Sequence, residues 1–169
     1  MAEQKFFFLD MTKAGYPDGG SDKQDTKGWL ELDSWNFSMH QSADANVKSG
    51  SVTTTSASGS FSFTIKHNGP KLFKQVVNSV NITAPVTFRA YRGGLVGGGA
   101  GGTPIAKYFE LVFTNLVVAG RHISGDEGQK DESIELAFEN VQMSYWDLGT
   151  GTPVLVATKT YNTKTNIAQ

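Results

Sequence analysis

The stretch Gly28 to His40, Gly-Trp-Leu-Glu-Leu-Asp-Ser-Trp-Asn-Phe-Ser-Met-His, constrains the fold more than any other part of the chain. Side chains of a β-strand alternate between its two faces with period two. Leu30 and Leu32 hold one phase of that alternation, and Trp35, Phe37 and Met39 hold the other. The phase slips by one residue across Asp33-Ser34. An inserted residue does this, most often as a β-bulge. A strand so built bends and serves two packing surfaces, which suits a closed or nearly closed sheet. The slip recurs twice. Phe109, Leu111 and Phe113 give way to Leu116 and Val118 within the strand Ile105 to Val118, and Ile134, Leu136 and Phe138 give way to Val141, Met143 and Tyr145 at Glu139-Asn140. Three long strands that each change face do not lie flat. They predict a mainly all-β fold, a bent two-sheet β-barrel of about seven to nine strands.

The rest of the chain fills in that frame. Lys5 to Met11, with Phe6, Phe7, Phe8 and Leu9, reads as a buried first strand. Thr12 to Lys27 is polar. Gln41 to Ser60 is a long run of Ser, Thr, Ala, Gly and Asn whose large apolar residues are Val47 and Val52. Such a run cannot order itself by burial; in a compact domain it is functional, disordered or an extended hairpin, here about 42–58. Ser60 to Lys66 alternates Phe61, Phe63 and Ile65 with hydroxyls. Asn68-Gly69-Pro70 opens one short flanking α-helix, about 70–80, because Leu72, Phe73, Val76, Val77 and Val80 recur at helical spacing. Val86 to Tyr91 is a strand, 93–103 a Gly-rich loop, Gly120 to Glu132 a polar connection, Val154 to Tyr161 the last strand, and Asn162 to Gln169 a polar tail. No repeat or composition break divides the chain, so 1–169 reads as one domain.

Chemistry is sparse. The net charge of −1 gives no electrostatic case for nucleic acid or anionic membrane. No stretch has the length of a transmembrane helix, so no membrane insertion is expected. The apolar run near Met1 is too short for a cleaved signal peptide. There are no cysteines, which excludes disulfides and thiolate metal sites. His40, His67 and His122 lack metal-type spacing, and Asp18, Asp22, Asp25 and the group Asp126, Glu127, Asp131, Glu132 lack an EF-hand pattern. Gly97, Gly99 and Gly102 match G-x-G-x-x-G, but a strand follows where a helix is required. Trp29, Trp35 and Trp146 read as packing residues, with a sugar-stacking platform as the alternative. No catalytic, cofactor or metal constellation emerges, so the chain reads as a binding or assembly protein rather than an enzyme.

Several of these segments, in this order, resemble one family. Leu30-Glu31-Leu32-Asp33-Ser34-Trp35-Asn36-Phe37 is similar to the I-x-V-x-S-W-x-W strand of the haemolysin-coregulated proteins (Hcp), inner-tube subunits of bacterial type VI secretion. Phe6 to Asp10, Phe61-Ser62-Phe63-Thr64 before Pro70-Lys71-Leu72-Phe73, Val86-Thr87-Phe88 before Arg92-Gly93-Gly94, Tyr108 to Leu111, Thr114 to Val118, Glu132 to Phe138 and Val141 to Tyr145 continue the match. Phe37 stands where a second Trp is common, and the Gly-rich loop is longer than usual. The resemblance implies a barrel that forms homohexameric rings, stacked into a tube and expelled with a spike protein by a contractile sheath, with small effector proteins in the lumen. It implies passage from the bacterial cytoplasm to the outside without a cleaved signal peptide. It also implies ring stacking through Asn46, Val47, Lys48, Ser49, Gly50, Ser51, Val52 and Thr53. Leu30, Leu32, Trp35, Phe37, Phe61, Phe63, Leu72, Phe73, Ile134, Leu136 and Phe138 are the expected packing residues. A phage-like tail tube protein and a monomeric glycan-binding β-sandwich are the alternatives.

Overall fold

The computed structural model describes residues 4–15, 21, 24–46, 51–65, 81–93, 105–126, 129–149, 153–164 and 167–168. The nine strands among them are β1 (Gln4–Asp10), β2 (Leu30–Leu32), β3 (Ser34–Asn46), β4 (Ser51–Ile65), β5 (Val86–Gly93), β6 (Ile105–Asp126), β7 (Gln129–Asp147), β8 (Val154–Asn162) and β9 (Ile167–Ala168). They form one antiparallel sheet in the order β2-β1-β5-β6-β7-β4-β3, with β8 on β7 and β9 on β8. The predicted helix at about 70–80, with Leu72 and Phe73, and most of the Gly-rich loop lie outside the described residues.

The phase slip at Asp33-Ser34 is a corner rather than the expected bulge. Leu30–Leu32 pairs with β1, whereas Ser34–Asn46 pairs with β4. These are the two ends of the strand order, and only Asp33 separates them in the chain. The sheet therefore curls until its ends meet. The Asp33 N–H donates to the Thr64 carbonyl at 3.0 Å, and the Ser34 and Thr64 hydroxyls lie 2.6 Å apart. Both phases point inward: Leu30, Leu32, Trp35 and Phe37 all join one core.

That core is aromatic. Phe61, Phe88 and Phe113 are fully buried. The Trp35 ring lies 4.7 Å from Phe88 and 5.6 Å from Phe109, and Phe113 lies 5.1 Å from Phe61 and 5.0 Å from Phe138. Offset and edge contacts of this kind add about 0.5–1.5 kcal/mol each beyond area burial.

The slips in β6 and β7 face each other. Burial passes from Phe113 to Leu116 on β6 and from Phe138 to Val141 on β7; Phe113 is paired with Val141, and Leu116 with Phe138. Asn115 takes the left-handed conformation at the turn of phase (φ 54), which Asn tolerates better than most residues. Leu116 exchanges both its backbone bonds with Ile82, at 2.7 and 3.0 Å, and the Glu139 carbonyl accepts from the Thr163 N–H at 2.8 Å. The double kink thus keeps its backbone groups paired.

Two polar stretches differ from expectation. Gly120 to Glu132 is mostly ladder, because β6 and β7 stay paired as far as Asp126 and Gln129. The polar tail contributes β9. Gly120 to Glu132 carries no apolar pattern although the Arg121 and Glu132 side chains are buried, because the two form an ion pair.

Candidate assembly surface

The expected packing residues other than Leu72 and Phe73, which lie outside the described residues, gather as one unit. Phe61, Phe63, Ile134, Leu136, Phe138 and Leu32 are buried, and Leu30, Trp35 and Phe37 pack against them. Phe37 fills its position by stacking on Phe138 at 5.7 Å. Trp35 is partly buried and packs against the core.

Outside the core, β3 and β4 continue as a two-stranded arm. β4 pairs with β7 only from Ser60 to Ile65. Its earlier residues pair with β3 alone, out to Asn46 opposite Ser51, Ala45 opposite Val52 and Asp44 opposite Thr53, with a register shift at Ser42/Ala43. Val47, Lys48, Ser49 and Gly50 lie outside the described residues. The arm departs at Gly59. A Cβ there would stand 2.3 Å from Phe138 Cζ, so the core ring occupies the space that any other residue would need.

A second surface has no counterpart among the sequence expectations. β8 takes over the edge of β7 where β4 leaves it, pairing from Asn140 opposite Asn162 to Asp147 opposite Val154. From Val154 to Thr160 every residue of β8 is exposed. Val154, Leu155 and Val156 retain 55%, 54% and 67% of their accessible surface. Alternating side chains should bury one face of a strand against a core; here neither face is covered. Among the described residues, the outer ladder edge is paired at Tyr161 and Asn162, by β9. An apolar strand in this state is a pairing template. The sequence, Val-Leu-Val, marks it as the last strand and does not say whether it is covered.

The outer face of β5, β6 and β7 carries a chain of charges and rings. The Arg89 guanidinium lies 4.8 Å from the Trp29 ring centroid and bonds Glu110 at 2.5 Å. Lys107 bonds the same carboxylate oxygen at 3.1 Å and lies 3.7 Å from the Trp146 centroid. Burial pulls Arg89 down, but Glu110 beside it more than offsets this, so the net shift is upward. Burial pushes the Tyr91 phenol up, with Arg89 drawing it partly back. Tyr91 packs edge-on against Phe8 at 5.7 Å, under the loop where the Ser21 and Thr26 hydroxyls meet at 3.0 Å. Among the described residues, no group of three His, Asp or Glu side chains is placed to hold a metal. No helix is long and apolar enough to cross a membrane, again among the described residues.

Comparison with known proteins places this architecture. No curated protein matches the sequence. Among solved structures, the crystal structure of Hcp1 from Salmonella typhimurium is similar at 25% identity, covering 98% of this chain and 99% of that one, with a TM-score of 0.67. Hcp2 from the same organism follows at 24% identity, 96% and 98% coverage and a TM-score of 0.59. A mutant form of the Hcp1 protein of E. coli EAEC 042 shares the fold at 20% identity, 95% and 99% coverage and a TM-score of 0.64. The family described as "Type VI secretion system effector, Hcp" matches residues 8–145, most of the barrel. On that match, and on the curled sheet, aromatic core and projecting arm that accompany it, the chain belongs to the Hcp family of type VI secretion proteins.

Proposed function

We propose that this chain is a structural, non-catalytic subunit that closes into homohexameric rings and stacks them as the inner tube of a type VI secretion system. Family membership supports the tube role. The observation that carries self-association is β8: a nine-residue strand with seven successive residues exposed and, among the described residues, an outer edge paired only at Tyr161 and Asn162. Three neighbouring apolar side chains in water, on an open edge, are stable in solution when a second copy covers them. The arm of β3 and β4 extends past the last β7 pairing, and its outer residues Asn46 to Thr53 reach a neighbouring ring. The lumen carries small effector proteins, and the tube moves from the cytoplasm outward with a spike protein at its tip and a contractile sheath around it. No cleaved signal peptide and no cofactor are needed for this cycle.

The test is the double variant Leu155→Asp/Val156→Lys. Both side chains are more than half exposed, so the variant's unfolding free energy should change by less than about 0.5 kcal/mol. Ring formation, followed by sedimentation velocity, should weaken at least about tenfold in subunit concentration, since a charge is desolvated at each contact. Unchanged assembly would remove β8 from the interface.

A further inference from the structure

We propose that the fork between the start of β6 and the end of β7 binds a short neutral saccharide, held by aromatic rings together with Arg92 and Asp147. Among the described residues, the two strands share a ladder only as far as Phe109 opposite Tyr145. Beyond that point β6 stays with β5, from Lys107 opposite Tyr91 to Ile105 opposite Gly93. β7 goes on with β8, through Trp146 opposite Leu155 and Asp147 opposite Val154. The strands therefore part, and the space between them is a cleft of about 400 Å³ lined by Arg92, Tyr108, Tyr145, Trp146, Asp147 and Gly149 among others. That volume lies in the lower part of the range for small-molecule pockets and suits a mono- or disaccharide. The ladder is distorted on both sides of the fork. The β5–β6 register shifts at Ala90/Tyr91, stepping across Tyr108, and the β7–β8 register shifts at Tyr145/Trp146, stepping across Val156. Bulges of this kind re-aim side chains and are frequent next to active sites. They do so here: a regular strand points successive residues to opposite faces, yet Tyr145 and Trp146 line the same hollow.

The rings are fixed before anything binds. The Arg92 guanidinium lies 4.7 Å from the Tyr108 centroid, and the Lys107 ammonium lies 3.7 Å from the Trp146 centroid. Tyr145 packs 4.8 Å from Phe109 while remaining 47% exposed. A sugar ring has a face of C–H bonds and an edge of hydroxyls. The C–H face is weakly positive and packs on the negative face of an aromatic ring. The hydroxyl edge needs donors and acceptors side by side, and the cleft supplies both: Arg92 only donates, an ionised Asp147 only accepts, and the phenols and indole add further polar tips. Asp147 is oriented by the Gly149 N–H at 3.0 Å; a carboxylate has about four lone-pair sites and this bond uses one. Other ligand classes suit the fork less well. Lys107 is bonded to Glu110, and Arg92 lines the same hollow as Asp147, so the field favours neither a polyanion nor a cation. A wholly apolar ligand would desolvate Arg92 and Asp147 without compensation. The other two tryptophans are engaged elsewhere, Trp35 against the core and Trp29 beside Arg89. The site is complete within one copy, so it goes beyond the ring reading and does not depend on it.

The experiment is a titration of the full chain with maltose, cellobiose and diacetylchitobiose, followed by tryptophan fluorescence and calorimetry, at about 20 and 500 mM salt. At least one of the three should bind saturably with a Kd of about 1 mM or tighter, and equally at both salts, because no charge is exchanged. Trp146→Ala, Tyr145→Ala and Asp147→Ala should each weaken that binding at least about tenfold. Tyr145 and Asp147 are exposed, so their variants carry the test should Trp146→Ala melt early. Ile123→Ser, which removes a half-exposed apolar side chain toward the other end of β6, should bind as the parent does. No saturable binding of any of the three sugars, binding that survives the cleft variants, or binding lost equally in Ile123→Ser overturns the site. Loss of binding at the higher salt, or displacement by inorganic phosphate, overturns the saccharide class.

Discussion

At the scale of single residues, Gly59 and Tyr91 carry the sharpest expectations. Gly59 lies where the arm leaves the barrel, and the Phe138 ring fills the volume of its missing side chain. That ring cannot swing aside, because Phe37 stacks on it at 5.7 Å and Phe113 meets it at 5.0 Å. Gly59→Ala should therefore cost about 1–3 kcal/mol by overpacking, measured by denaturant unfolding, whereas Ser58→Ala next to it should change little. Equal effects would remove the steric argument. Tyr91 makes a pH-dependent contribution. Burial raises its folded pKa above the ordinary value near 10. The neutral phenol's contribution is thus complete below the unfolded pKa and is lost as pH rises through the folded one. In an alkaline absorbance titration, one of the five tyrosines should ionise after the others, and Tyr91→Phe should delete that last step. A titration in which the five ionise together with Tyr91 present contradicts the buried placement.

At the scale of elements, the arm and the kinks divide the work. Past Gly59 the arm has β3–β4 pairing and no third strand among the described residues, so shortening its tip removes no pairing with β7. Deleting residues 47–53 should leave thermal stability and ring mass as in the parent and abolish tubes in negative-stain images; unfolding would show that the tip belongs to the core. The elements also show which parts of the fold the sequence made legible. Phe61, Phe63 and Ile65 alternate because β4 has one buried face, and Ile134 to Val141 slips because β7 kinks while staying buried. Both patterns were readable, since burial alone writes them. The corner at Asp33 was not. A slipped phase looks the same whether a residue bulges or the chain changes pairing partner, and only the ladder tells these apart. Gly120 to Glu132 escaped as strand because its residues are mostly polar, leaving no apolar period to read. β8 was legible as a strand, but its apolar run does not disclose that seven successive residues stand exposed.

At the scale of the whole molecule, one curled sheet presents two distinct kinds of surface. The flank made by β8 is apolar and edge-open, which suits a contact repeated around a ring. The arm of β3 and β4, polar in sequence, pairs on past the last β7 partner, which suits a contact repeated along an axis. A subunit with both can grow in two directions. The most direct measurement is the mass of the purified full chain in solution, by native mass spectrometry with imaging of the same sample. Six chains of 18.2 kDa give a particle of about 109 kDa, seen end-on as a ring. A particle that stays at 18.2 kDa at high concentration, with β8 left open to water, would contradict the account.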